Sequence, residues 1–234
     1  MPINRYRIIS IEKTAEDVKI FRMEPIDGRL LSYKPGQFAF IHLLDSEGRT
    51  TLKRPYSIAS APHAPYLEFC IKIINGAMTS QLEKLDQGAT VGIEGPAGHF
   101  FYGDQRNVGL VASGTGVAPM IGILRDIAEK KLEGNFILFY STKTLDSMVY
   151  QHEFENIQKI NPNIKIVITL TREQPVGWKG ELGRINQEMI TKHVIDPKNM
   201  DWWMCGQMEM IKAMKAILVE LCIDLKRVKM EGWG

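Results

Sequence analysis

Two hydrophobic rhythms divide the chain. Up to about residue 103, apolar positions cluster in short stretches at 6–11, 18–23, 37–44, 56–59, 66–74 and 90–94. These stretches are rich in β-branched and aromatic residues. Pro35-Gly36, Glu47-Gly48 and Pro62 punctuate them as turn signals. Six strands at such close spacing predict an antiparallel barrel or sandwich. One helix interrupts them over 79–85, with Leu82 and Leu85 on one face.

After Gly103 the rhythm changes. Strands are predicted at 108–112, 136–140, 165–170, 202–204 and 227–231, and helices at 118–130, 150–159, 186–193 and 208–221. Strands alternating with helices of about ten residues or more imply a doubly wound, parallel five-stranded sheet of the α/β class. The expected division is therefore 1–103 for the β domain and 104–234 for the α/β domain, joined near 101–107. A crevice between two domains is a usual place for a ligand.

Composition narrows the picture. The 234 residues carry 29 Lys+Arg and 27 Asp+Glu for a net charge of +2, and 44% of them are hydrophobic. Such a chain is long and apolar enough to bury a core unaided, so it is not disordered. The near-zero charge argues against a nucleic-acid or membrane-surface partner. No apolar run approaches the ~20 residues of a membrane span, and the first residues lack the apolar stretch of a signal peptide. A cytoplasmic protein is expected.

Three cysteines, Cys70, Cys205 and Cys222, lie far apart. They suit neither a disulfide scaffold nor a structural zinc site, and they are too few for an iron–sulfur cluster on four thiolates. The five histidines show no ligand spacing, and no metal site is expected.

The chemistry-bearing segment of the second half is Ser113-Gly114-Thr115-Gly116-Val117-Ala118-Pro119, between a buried strand and a helix. Glycines there admit a close backbone approach. The helix start offers free N–H groups and a positive dipole end to a phosphate, and a dinucleotide pyrophosphate is the obvious guest. The same two glycines would also serve a plain tight turn, and the spacing ends in proline rather than a third glycine.

Arg54-Pro55-Tyr56-Ser57 resembles the flavin signature of the ferredoxin–NADP reductase superfamily, and the other motifs follow in that family's order. Pro35-Gly36-Gln37 is similar to the segment preceding the signature. Gly76-Ala77-Met78-Thr79 is similar to the turn that meets the flavin pyrophosphate. Gly95-Pro96-Ala97-Gly98-His99-Phe100 resembles the close of the barrel. Gly114 to Pro119 and Cys205-Gly206 resemble the two nicotinamide-side motifs. The ending Glu231-Gly232-Trp233 resembles plastid-type members, from which one extra residue, Gly234, departs.

The resemblance implies a six-stranded antiparallel β-barrel that binds FAD, followed by a nicotinamide-nucleotide domain, in a stand-alone member without an iron–sulfur domain. It implies that Arg54, with Pro55, holds the flavin pyrophosphate and that Tyr56 lies against the flavin. Ser57 would bond the reacting flavin nitrogen. Backbone groups at Cys70, Ile71 and Lys72 would edge the ring, and Gly76, Met78 and Thr79 would meet the second phosphate. Gly114, Thr115, Gly116 and Pro119 would face the nicotinamide nucleotide. Cys205 and Gly206 would approach its reactive carbon, Trp233 would cover the flavin face, and Glu231 would help to move protons.

Thr171 and Arg172 resemble the pair found in NADPH-using members, because a guanidinium matches a 2′-phosphate where a carboxylate would repel it. Ser141, Thr142 and Lys143 can add to that pocket, so NADPH is expected over NADH. The implied activity is an NAD(P)H-dependent flavoenzyme. It would pass hydride from the nicotinamide to flavin, then single electrons to a ferredoxin, flavodoxin or oxygenase partner, and a monomer is expected. A reductase of small acceptors (free flavin, ferric chelate, quinone) is the first alternative. A non-catalytic flavin-binding electron-transfer subunit of a larger complex is the second.

Overall fold

The computed structural model describes residues 2–233. Its first half contains β1 (Ile3–Ala15), β2 (Val18–Pro25), β3 (Phe38–Leu44), β4 (Thr50–Ser57), β5 (Leu67–Lys72), the short helix α1 (Ala77–Leu82) and β6 (Thr90–Ala97). The strands pair antiparallel in the order β4-β3-β6-β1-β2-β5. An antiparallel bridge between Ile58 and Phe69, and an Ala59 N–H donated to the Glu68 carbonyl at 2.8 Å, join the two outer strands. The sheet is thereby closed into a barrel, which leaves few unpaired edges.

Alternate residues fill its interior, among them Tyr6 and Ile8 from β1, Phe21 and Met23 from β2, Leu67 and Phe69 from β5, and Val91 and Ile93 from β6. This is the period of two that a half-buried strand requires. β4 begins six residues before the predicted strand at 56–59. Its leading residues Thr50, Thr51, Lys53 and Arg54 are exposed, so no apolar alternation marks them; pairing with β3 recruits them.

The second half contains β7 (Asn107–Ser113), α2 (Val117–Glu129), β8 (Asn135–Thr142), α3 (Gln151–Ile160), β9 (Ile164–Leu170), β10 (Glu181–Leu182), α4 (Gln187–His193), β11 (Asp201–Gln207), α5 (Met208–Glu220) and β12 (Val228–Trp233). The parallel order is β10-β9-β8-β7-β11-β12, so among the described residues the sheet has six strands rather than five. The extra strand, β10, has only two residues between Gly180 and Gly183, too few to carry a periodic signal. Tertiary bonds hold it: Thr169 Oγ1 donates to the Gly183 carbonyl at 2.6 Å, and Trp178 Nε1 to that of Glu181 at 2.9 Å.

Successive residues of the central strands face opposite layers. Leu110, Leu138, Tyr140 and Trp203 pack toward α2 and α3, while Val111, Phe139, Trp202 and Met204 pack toward α4 and α5. The first layer also takes in Val18, Ile20, Ala59, Cys70 and Phe100 of the barrel, so one apolar core runs across both halves. Among the described residues, no helix is long and apolar enough to cross a membrane.

Candidate functional site

In open parallel sheets a ligand crevice lies beyond the carboxyl ends of the strands, where the strand order reverses. Here the reversal falls between β7 and β11. A cleft of about 620 Å³ opens there, within the usual range of ligand sites. Its walls come from the ends of five parallel strands: Ser113 on β7 with Gly114 and Thr115 after it, Ser141 and Thr142 on β8, Thr171 and Arg172 after β9, Gln207 on β11 and Trp233 on β12. Asp17 and Lys72 supply a wall from the barrel, paired with each other at 2.8 Å. The cleft therefore belongs to both halves.

The turn after β7 is shaped for close approach. Gly114 has φ +52, and a side chain there would meet nothing within 4 Å, so its open face is available to a guest. Gly116 is used in the opposite way. Any Cβ there would fall on the Cys205 carbonyl, which lets the turn sit directly against the end of β11. Ser113 Oγ is buried and has no hydrogen-bond partner among the described residues. The 3-10 turn Gly114–Gly116 runs straight into α2 and has no side-chain cap; the Val117 N–H already donates to the Gly114 carbonyl, so the N–H groups left for an anion are those that open the turn itself.

Pro119 is buried at the third position of α2 and does not line the cleft. It stands in the first turn, where no intrahelical donor is required. Gly116→Ala is expected to force the turn and β11 apart, with a stability loss of about 1–3 kcal/mol and weaker dinucleotide binding. Unfolding curves and a nucleotide titration check both.

On the barrel, Arg54 and Pro55 are exposed and Tyr56 and Ser57 half-buried. The Arg54 guanidinium donates only to the neighbouring Lys53 carbonyl at 2.8 Å and has no carboxylate partner among the described residues. Its charge is left for an anion from outside. Burial pushes the Tyr56 phenol up to about 12. Ser57 stands opposite Phe38 across β3 and β4. The Phe38 ring lies beside Gly98, where a Cβ would come 3.5 Å from Glu231 Oε1. The motif on β4 and the chain's final residues thus converge across the domain boundary.

Cys70 and Ile71 are buried and Lys72 is exposed; burial raises the Cys70 thiol far above its ordinary range. Gly76 is the residue before α1, and Met78 and Thr79 are buried. The Thr79 hydroxyl accepts from Ile74 N–H at 3.3 Å and donates to the Ile74 carbonyl, so it closes the turn and is not left for a ligand.

Cys205 and Glu231 face each other in register on β11 and β12. Cys205 is wholly buried, and its thiol is held well above the usual range by desolvation and the nearby Glu231. Burial raises the Glu231 carboxyl to about 7. Thr142 Oγ1 is shared with Ser147 Oγ at 2.8 Å. Thr171 and Arg172 donate their N–H groups to the carbonyls of Thr142 and Lys143, both at 3.0 Å, which keeps the ends of β8 and β9 together. The Arg172 side chain is exposed at the rim, with Lys143 and Arg184 on the same cleft wall and Asp146 opposing them in charge.

Of the expected residues, the cleft gathers Ser141, Thr142, Thr171, Arg172, Gly114, Thr115, Lys72 and Trp233. Arg54 to Ser57 and Gly76 to Thr79 lie outside its walls, on the barrel's own surface and in its core. Sequence reasoning did not single out Asp17, Asp146 or Gln207. Gln207 follows directly on Cys205-Gly206 and was within reach; Asp17 acquires its place only by pairing with Lys72.

An open glycine face, an uncapped turn and, among the described residues, a buried hydroxyl without a hydrogen-bond partner and a guanidinium without a carboxylate partner fit phosphate-bearing guests on both sides of the boundary. Comparison with known proteins agrees. Residues 5–102 match the family model of the oxidoreductase FAD-binding domain, and residues 110–216 that of the oxidoreductase NAD-binding domain. An electron transfer component of anthranilate 1,2-dioxygenase from Acinetobacter baylyi is 28% identical over 223 residues, 92% of this chain and 63% of that protein. The chain spans about three-fifths of the length of the first curated relatives it matches.

Two solved structures share the fold. The flavohem-like FAD/NAD binding domain of nitric oxide dioxygenase from Vibrio cholerae has a TM-score of 0.89 at 21% identity, with 99% of this chain and 98% of that one covered. A ferredoxin NADP+ reductase from Neisseria gonorrhoeae with bound FAD and NADP has a TM-score of 0.84 at 19% identity, covering 99% of each. Fold and matches together define the class: an oxidoreductase FAD-binding domain followed by an oxidoreductase NAD-binding domain. The chain belongs to the ferredoxin–NADP reductase superfamily.

Proposed function

We propose that this chain is an FAD-dependent NAD(P)H reductase that prefers NADPH and passes electrons to a redox-protein acceptor such as a ferredoxin, a flavodoxin or an oxygenase component. The observation that carries the reading is the shared cleft at the strand-order reversal, walled by the Gly114 turn on one side and by Lys72 of the barrel on the other. FAD, when bound, supplies the exchange between two-electron nicotinamide chemistry and one-electron chemistry at an acceptor.

The chain's own residues would do the rest. Arg54 would neutralise a pyrophosphate by forked hydrogen bonding, and Tyr56 would give an amphipathic face to the ring system. Ser57 would orient the flavin by its hydroxyl, and the backbone of Cys70 to Lys72 and of Gly76 to Thr79 would edge it. The N–H groups after Gly114 would hold the nicotinamide dinucleotide. Cys205 and Gly206, packed on Gly116, would shape its seat, and Trp233 would close the mouth. Glu231 would hold or release a proton near neutral pH. The redox-protein acceptor is proposed because the Acinetobacter relative is an electron transfer component.

The test is the anaerobic visible spectrum with NADPH and NADH in separate cuvettes. Flavin bands bleached faster by NADPH are the expected result; protein that takes up no FAD would overturn it. Arg172→Glu is expected to lower kcat/KM for NADPH about 10- to 100-fold, the worth of a charged hydrogen bond of about 1.5–3 kcal/mol. The NADH value should stay nearly unchanged, and an equal loss for both nucleotides would remove Arg172 from the 2′-phosphate.

A further inference from the structure

A cluster of charged and polar side chains lies where the two halves meet, outside the cleft. Glu68, on β5, is fully buried. Its Oε1 accepts from Arg125 Nη1 at 2.7 Å and from the Tyr150 hydroxyl at 2.9 Å, and its Oε2 accepts from Arg22 Nε at 2.8 Å. Arg125, on α2, also donates to the Ala59 carbonyl at 2.7 Å and forks onto both oxygens of Glu153, on α3. Every donor nitrogen of that guanidinium is engaged. Three of these bonds cross the boundary: Arg125 to Glu68, Arg125 to Ala59 and Tyr150 to Glu68.

The backbone around the cluster is arranged to bring the halves close. Tyr150 precedes α3 in a left-handed conformation, φ 64, that a non-glycine residue adopts only when its surroundings hold it. Its phenol bond to Glu68 is one such hold. One turn before Arg125, Gly122 lies over the backbone that follows Ser57. A Cβ there would sit 3.0–3.4 Å from the carbonyl oxygens of Ile58, Ser60 and Ala59.

We propose that Arg125, Glu68, Glu153 and Tyr150 form an inter-domain latch that positions the nicotinamide half of the cleft against the flavin half. The inference rests on the function proposed above. Glu68 lies two residues from Cys70 on one strand, and Ala59 two residues from Ser57. Arg125 is connected through α2 to the Gly114–Gly116 turn, and Tyr150 directly follows Val149, the last cleft-lining residue of the segment after β8. The latch therefore grips both partners' seats at four points without lining either. A buried ion cluster of this kind adds little net stability over an apolar contact, and its use is to fix one geometry. These are positioning residues.

The test compares Arg125→Gln and Arg125→Lys with wild type by three readouts: flavin-to-protein ratio, KM against kcat for NADPH, and calorimetric unfolding of the flavin-free protein. Arg125→Gln should keep its flavin and a KM within about 3-fold while kcat falls about 100-fold, as a displacement of about 1 Å produces. Its flavin-free unfolding should split from one transition into two. Arg125→Lys, with charge but no fork, should recover only a small part of kcat.

If Arg125→Gln does not fold, Tyr150→Phe reads the same latch by removing one hydroxyl, with a roughly 5-fold loss of kcat expected. Wild type that binds FAD but is bleached by neither nucleotide would overturn the proposed function and this role with it. Normal bleaching in wild type, with kcat and a single unfolding transition unchanged in the variants, would overturn the latch alone.

Discussion

Arg54→Ala should lower FAD affinity about 10- to 100-fold, while the unfolding temperature of the flavin-free protein stays within about 2 °C of wild type. The two halves of this expectation follow from one fact. Arg54 is exposed and makes a single bond, to its neighbour's carbonyl, with no carboxylate partner among the described residues. Deleting an exposed side chain with no partner changes stability by about 0.5 kcal/mol or less, hence about 2 °C at most in a chain of this size. A guanidinium aimed at a phosphate makes charged hydrogen bonds worth about 1.5–3 kcal/mol, which sets the fold-change. Equilibrium titration of apoprotein with FAD, beside a melting curve, checks both. Unchanged affinity would take Arg54 out of the flavin site; a large drop in melting temperature would make it a structural residue instead.

The barrel and the α/β half were legible because their strands carry their own signals. β2 and the first half of β6 place apolar residues at alternate positions, β7 runs buried from Val108 to Ala112, and α2 and α5 keep an apolar face for thirteen residues each. What was not legible depends on partners distant in the chain. β10 exists only because β9 and Thr169 hold it. The first half of β4 is polar and exposed, and β3 alone makes it a strand.

The site divides in the same way. The glycine turn and Arg54 to Ser57 are local motifs, readable one after another. Asp17 against Lys72 and the Glu68–Arg125–Tyr150 cluster are not, because nothing near Glu68 in sequence announces that it will be buried against a guanidinium on α2. Thr79 is a mixed case. Its motif is local and readable, whereas the closing of the turn by its hydroxyl, which leaves only backbone N–H groups for a phosphate, appears only in the geometry of Ile74.

Glu231 gives the expected pH dependence. Burial raises its carboxyl to about 7, and no cation pairs with it among the described residues; Cys205 lies opposite on β11 and Gly98 beside it. A folded value above the unfolded one means that the native state binds more protons between the two. The fold is then most favoured while Glu231 stays neutral, below the ordinary carboxylate range, and loses stability as pH rises through about 7. Wild type should therefore lose on the order of 2 kcal/mol relative to Glu231→Gln between pH 5 and pH 8, once the carboxyl's remaining contact with water is allowed for.

Paired carboxylates such as Glu68 and Glu181, whose values are lowered, act in the opposite sense, because their contribution is lost as pH falls. They are common to both proteins and cancel in the difference. Urea unfolding of the two proteins at both pH values is the measurement, with near-equal stability at pH 5 and the glutamine variant ahead at pH 8. Parallel curves would mean that the carboxyl is already ionised at neutral pH. It would then have no proton to hold beside Cys205, and the assignment of Glu231 to proton movement would fall with it.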